Sequence, residues 1–284
     1  MSARGAVDYW CNAFTPDRLP LWEASLAAQG VPMKLRKGED DGFAAADVMA
    51  ARMDAAGVET LLIPTCDLVS DGERDFEPFA ARPEEIEAWS AAHPGRFRGL
   101  WSFDPRNGMN GVDRAADMLA RPWAVGLHYH THSFDCAFDQ AAMYPYYTLA
   151  SQTDVPVVMQ AGTSGGLMPS ECGRPIGIDR PALYFPEVRF VLSHTGWPWV
   201  EEAIAMALKF PNVFLGSATQ PPRRWSDTLV HFASGVGRDK FLLGTGFPTT
   251  GQQQVIEQLE AAIADPGARA AIQGDTARRV FSRL

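Results

Sequence analysis

Residues 189–193 read RFVLS, and residues 155–160 read VPVVMQ. Both are short, almost unbroken apolar runs, without the in–out alternation of a strand that keeps one face in water. A strand reads this way when helices cover both of its faces, as in a parallel sheet. Further strand-like segments lie near Val7–Asn12, Thr60–Pro64, Phe97–Phe103, Ala124–His128, Val213–Ser217 and Phe241–Gly244. Gly/Pro-rich turns and stretches of helical spacing fill the gaps. Val48, Ala51, Arg52 and Ala55 precede Gly57, which suits a glycine at a helix C-terminus. Val200, Ala203, Ile204, Ala207 and Leu208 form one apolar stripe, ended by Pro211. Such units in series, with short connections, point to a single α/β domain, a (β/α)8 TIM barrel. An open doubly wound sheet is the alternative, but no GxGxxG turn follows the first strand.

The bulk numbers agree with one large barrel. The chain has 284 residues, 46% hydrophobic and 21% charged, enough to fill a core of that size. A formal net charge of -9 argues against nucleic acid or an anionic membrane as partner, since both select basic patches. Cys11, Cys66, Cys136 and Cys172 are widely spaced and form no CxxC pair, which reads as reduced thiols in a cytoplasmic protein. No leader-like apolar segment or long apolar run stands out.

Two connections are long, 13–46 after the first strand and 161–186 after the fifth. Both follow strands, so both are expected over the mouth of the barrel as lids or oligomer contacts.

Functional groups of such a barrel gather where strands end. Those positions are Asp8, Trp10, Asn12, Thr65, Asp104, His128, His130, Gln160, His194, Ser217 and the Gly244–Pro248 turn. His128 and His130 are two apart in GLHYHTH, so an extended strand points both to one side; His132 follows in the same stretch. His194 closes a buried strand ahead of Thr195-Gly196-Trp197, where the glycine permits close approach. His93 and His231 read as structural. Cys11, lying between Trp10 and Asn12, points to the surrounding helices if those two face the lumen. No GxSxG elbow is present, which disfavours a serine hydrolase. Arg174 and Arg180 in the fifth βα loop, and Arg223 and Arg224 in the seventh, are candidates for gripping a carboxylate. Pairing with the surplus acidic residues is the competing use of each.

Taken in order, VDYWCN, HPGRFRGLWSFDP, AVGLHYH, VPVVMQAG, FVLSHTGWPWVEEA and FLLGTGFP resemble the amidohydrolase-related family. That family includes aminocarboxymuconate-semialdehyde decarboxylase and the aromatic-acid decarboxylases. The resemblance covers most of the chain and implies a (β/α)8 barrel that self-associates. It also implies a divalent metal, often zinc, held by HxH on strand one, His on strands five and six, and Asp on strand eight. Here those positions are Trp10, Asn12, Gln160, His194 and Gly246, so His194 alone matches. A strand-four lysine of some relatives is Gly126, with His128 just beyond. Zinc takes roughly four imidazole, thiolate or carboxylate donors, and neutral amides, indole and glycine do not supply them. No tightly bound metal cofactor is expected, with a weak site at His128, His130 or Asp8 left open.

Three functions follow. The first is a metal-independent hydrolase of an ester or lactone, or a decarboxylase-type lyase, acting on a small, carboxylated cyclic or aromatic compound. His194 and His128, with His130, would be acid and base. Asn12 and Gln160 would bond the substrate, Trp10 and Trp197 would wall it, and the arginines would hold its carboxylate. The second is a non-catalytic subunit that stabilises or regulates a metal-bearing paralogue in a hetero-oligomer. The third is a small-molecule binding protein. The polar character of Asn12, Gln160, His128 and His194 favours an enzyme with a wet, ligand-sized pocket.

Overall fold

A computed structural model describes residues 4–66 and 79–284, apart from the side chain of Cys66. Eight parallel strands run in sequence order: β1 Ala6–Asp8, β2 Val58–Cys66, β3 Phe97–Ser102, β4 Ala124–Tyr129, β5 Val157–Gln160, β6 Phe190–Ser193, β7 Val213–Gly216 and β8 Phe241–Leu242. Helices lie between successive strands, and the fold is the expected (β/α)8 barrel in one domain. Backbone bonds from Tyr9 N to Leu243 O (3.0 Å) and from Gly246 N to Trp10 O (2.9 Å) join the first strand's end to the last.

The unbroken apolar runs divide between two cores. Val158, Val191 and Leu242 fill the interior with Val7, Leu62 and Leu100. Their neighbours Val157, Met159, Phe190 and Leu192 pack outward against the helices. At the opposite end from the strand termini, Arg278 Nη2 donates to Gly5 O (2.5 Å) and Arg283 Nη1 to Ala124 O (3.2 Å). Those bonds seat Ala277, Val280 and Phe281 against the interior core as a floor.

The helix Ala46–Ala56 ends on Gly57 in the left-handed region (φ 70). In the helix Val200–Lys209, Val200, Ala203, Ile204 and Ala207 are buried as expected, but Leu208 is 56% exposed and Met206 takes its place in the core. The connection 13–46 is not a plain loop. It contains the helix Arg18–Gln29, which ends on Gly30 (φ 63). The connection 161–186 likewise contains the short helix Asp179–Tyr184.

Candidate functional site

β1 ends at Asp8, four residues sooner than its apolar pattern suggests, because the Asp8 side chain takes over the backbone. Its Oδ1 accepts from Trp10 N at 3.2 Å, an Asx turn that pulls the chain out of the ladder. The same carboxyl accepts from Thr245 N (2.9 Å) and Thr245 Oγ1 (2.6 Å) beyond β8. Burial nevertheless outweighs these bonds and pushes Asp8 up to about 7.

The turn sets the Trp10 indole edge-on between two imidazoles, with ring centroids 4.6 Å from His128 and 5.0 Å from His194. Trp10 Nε1 donates to Asn12 Oδ1 (3.0 Å), and Asn12 Nδ2 donates to Phe247 O (2.5 Å). Asn12, expected to bond substrate, lines the cavity, and this relay engages one of its two amide hydrogens and one side of its oxygen. Cys11, between them, packs with the outer core as the strand alternation implies.

Each inner imidazole leans on a serine. His128 Nδ1 shares a 2.5 Å hydrogen bond with Ser102 Oγ, leaving its buried Nε2 without a partner. His194 Nδ1 is bonded to Ser193 Oγ, and His130 Nδ1 to Ser133 Oγ. His194, Thr195 and Gly196 take φ values of 58, 56 and 70, a run of left-handed backbone in which a Cβ on Gly196 would sit 2.8 Å from Ala203 Cβ. Burial pushes His128 and His194 down to about 3 and His130 well below its ordinary value, with the neighbouring imidazoles adding to the effect on His130 and His194. All three are neutral at pH 7. Desolvation of these rings is larger than any hydrogen bond to their charged form.

A cavity of about 1230 Å³ opens over these groups. Trp10, His128, His130, Gln160 and His194 line it, together with Trp197 and both long connections: residues 21–34 and 163–169. The Oε1 of Gln160 is buried and bonded to nothing among the described residues. Among the described lining residues no side chain is acidic, and the cations are Lys34, Arg223 and Arg224, all exposed. The aromatic wall includes Trp22, Phe103 and Phe134, and Trp197 stands half exposed at 51%.

The structure separates the arginines. Arg223 and Arg224 border the cavity, whereas Arg174 and Arg180 do not. Arg174 is claimed by Glu202 (2.7 Å) and Glu171 (3.1 Å) and staples its loop to the helix Val200–Lys209; Arg180 points to solvent. Three other strand-end groups are structural. Thr65 Oγ1 donates to Leu100 O, Asp104 pairs with Arg106, and Ser217 Oγ donates to Gly244 O. His132 is fully buried and bonds Pro169 O, His93 pairs with Asp47, and His231 is exposed on a helix. Sequence reasoning missed Ser102, Ser193 and Lys34, and it placed Thr245 in the Gly244–Pro248 turn without its bonds to Asp8. Adjacency of Ser193 to His194 was the one available signal; the others are brought in by strands or loops distant in sequence.

The residues present do not fit the family's divalent metal. Trp10 and Asn12 bond each other, Gln160 offers a neutral oxygen, and Gly246 has no side chain. Nor does Gly246 leave room for the missing aspartate: its φ is 58, and a Cβ there would lie 2.6 Å from Thr219 N. Among the described residues, no group of three or more His, Cys, Asp or Glu is arranged to hold a metal.

The amidohydrolase family profile matches residues 7–283. No curated protein matches the sequence. Solved structures that match include an uncharacterized TIM-barrel protein from Bordetella bronchiseptica, with 19% identity, a TM-score of 0.73 and 98% of each chain covered. A 2,6-dihydroxybenzoate decarboxylase from Rhizobium matches at 15% identity and a TM-score of 0.67, over 98% of this chain and 99% of that one. A 5-carboxyvanillate decarboxylase from Novosphingobium aromaticivorans, complexed with manganese and 4-hydroxy-3-methoxy-5-nitrobenzoic acid, matches at 14% identity and a TM-score of 0.67, over 98% and 96%.

Proposed function

The chain belongs to the amidohydrolase family, and from that premise we propose that it is a hydrolase or decarboxylase-type lyase for a small carboxylated cyclic or aromatic compound, working without the family's metal. The observation that carries this reading is the charge of the cavity. In a chain of net charge -9, the described lining holds no acid and three exposed cations. Such a mouth draws in an anion and repels little of it. The aromatic wall then supplies stacking area for a ring.

Inside, the protein's own groups supply the chemistry. A carboxylate held at the cationic mouth leaves the buried imidazoles neutral, and a neutral ring is the form that accepts a proton. His194, fixed through Ser193 and held in a strained backbone, is the ring assigned to accept or return a proton, with His128 and His130 as its partners. Trp10 keeps the two inner rings apart. Gln160, whose Oε1 has no partner among the described residues, bonds a polar group of the substrate. The neighbours named as decarboxylases act on aromatic carboxylates, and the same class of compound is proposed here.

The low imidazole pKa values are what favour the second reading, a non-catalytic subunit partnering an active paralogue. The outcome expected of the first is that His194→Ala lowers kcat for any substrate found by about a hundredfold or more, with an unchanged fold by circular dichroism. Undiminished kcat in that variant removes His194 from the chemistry.

Self-association is part of the proposal. Leu167, Ile176, Leu183 and Tyr184 are 79%, 48%, 57% and 63% exposed on one connection, and covering such side chains is what a second copy would contribute. No helix among the described residues is long and apolar enough to cross a membrane, and a cytoplasmic location is proposed on the unpaired cysteines.

A further inference from the structure

The cavity is charged at its rim and uncharged in its depth. Lys34, Arg223 and Arg224 are exposed at the opening. Below them, the strand register puts His128 opposite Val158 and Gln160 opposite Ser193, so Gln160 stands on the neighbouring strand two residues nearer the mouth than the level of His128. Two of these inner groups carry unsatisfied polar atoms. Gln160 is 7% exposed with Oε1 unbonded, and His128 is 4% exposed with Nε2 unbonded. Leaving buried polar atoms unpaired is costly, and both residues line the cavity, so a turn of either side chain toward a bound polar group pairs an atom that the protein leaves unpaired.

A carboxylate is the wrong group for that place. It offers acceptors only, and a carboxamide presents one acceptor and one donor whichever way round it lies. A carboxylate on Gln160 therefore leaves one oxygen facing another, with no buried cation to offset the charge. An amide is the complement: its N–H meets the Gln160 oxygen and its C=O meets the Gln160 N–H. The single uncharged nitrogen of His128 adds one further bond to such a group.

We infer that the ligand enters with its carboxylate at the Lys34–Arg223–Arg224 rim and an uncharged amide or lactam at the bottom, against Gln160 and His128. This rests on the small-carboxylate reading above and adds to it an orientation and a second recognition group. The amide is recognised, not cleaved, and Gln160 is the residue that sets specificity.

Isothermal titration of the whole protein with benzoate, benzamide, terephthalate and terephthalamate (the monoamide of terephthalate) tests it. Terephthalamate is expected to bind about tenfold tighter than either benzoate or terephthalate. Gln160→Leu is expected to bring terephthalamate down to the affinity of benzoate, leaving benzoate itself within about twofold. Arg223→Ala with Arg224→Ala is expected to weaken benzoate and terephthalamate alike and to leave benzamide unchanged. Terephthalate binding as tightly as terephthalamate overturns the orientation on the wild-type protein alone, and so does a preference that survives Gln160→Leu; both leave the carboxylate reading in place. Failure of all four compounds to bind overturns the carboxylate reading together with the orientation.

Discussion

Acidifying the protein from about pH 7 to about pH 5 is expected to cost the fold roughly 3 kcal/mol, read from urea midpoints at the two pH values. His128 and His194 are held near 3 and His132 near 4, below the ordinary 6.5. A histidine depressed on folding is protonated in the unfolded chain first, so stability is lost as pH falls below the unfolded value. Over the upper part of that window each of the three loses about 2 kcal/mol. His130, also depressed, adds in the same direction. Asp8 works against them. Its folded value of about 7 lies above the ordinary 3.8, so its protonated folded form gains on the ionised unfolded chain as pH falls, by about 2 kcal/mol over the same interval. The histidines outnumber it, and the net slope is toward acid instability. Asp8→Asn removes the opposing contribution and is expected to steepen the acid loss about twofold. A midpoint that holds or rises at the lower pH contradicts the burial assigned to the imidazoles.

Asn12→Ala is expected to destabilise the protein by about 3 kcal/mol. The asparagine joins the Trp10 indole to the Phe247 carbonyl at 3.0 and 2.5 Å, and Trp10 is 4% exposed. Its truncation leaves a buried donor and a buried acceptor unpaired, each of which costs about 1–3 kcal/mol. It also releases the indole that separates His128 from His194, so ligand affinity should fall with stability. Chemical denaturation checks the first effect and calorimetry with benzoate the second. A loss below about 1 kcal/mol would mean that water satisfies both groups and the relay holds nothing in place.

The barrel was legible because its strands are apolar on both faces, a property that needs no knowledge of neighbours. Strand ends were harder. β1 stops at Asp8 because a side chain competes for the Trp10 amide, a contest between local hydrogen bonds that hydrophobic pattern does not record. The helix Arg18–Gln29 was hidden for a related reason: its apolar residues line a cavity and do not form a stripe against the core.

At the site, residue identity was readable and residue environment was not. Trp10, His128, Gln160 and His194 converge as their strand-end positions imply. Whether an arginine meets a substrate or a glutamate depends on what the fold brings near it. Arg174 finds Glu202, 28 residues away in sequence, while Arg223 and Arg224 make no ion pair among the described residues. The protonation state of the imidazoles depends on burial that no spacing expresses, and the serines that orient His128 and His194 carry no motif of their own.

We propose that indole, carboxamides and glycine stand in place of the family's metal-binding set, leaving His194 alone. Elemental analysis of the purified protein, after dialysis against zinc or manganese and then against buffer, tests this most directly. Well under one equivalent of either metal per chain is the predicted result. A full equivalent that survives the dialysis contradicts it.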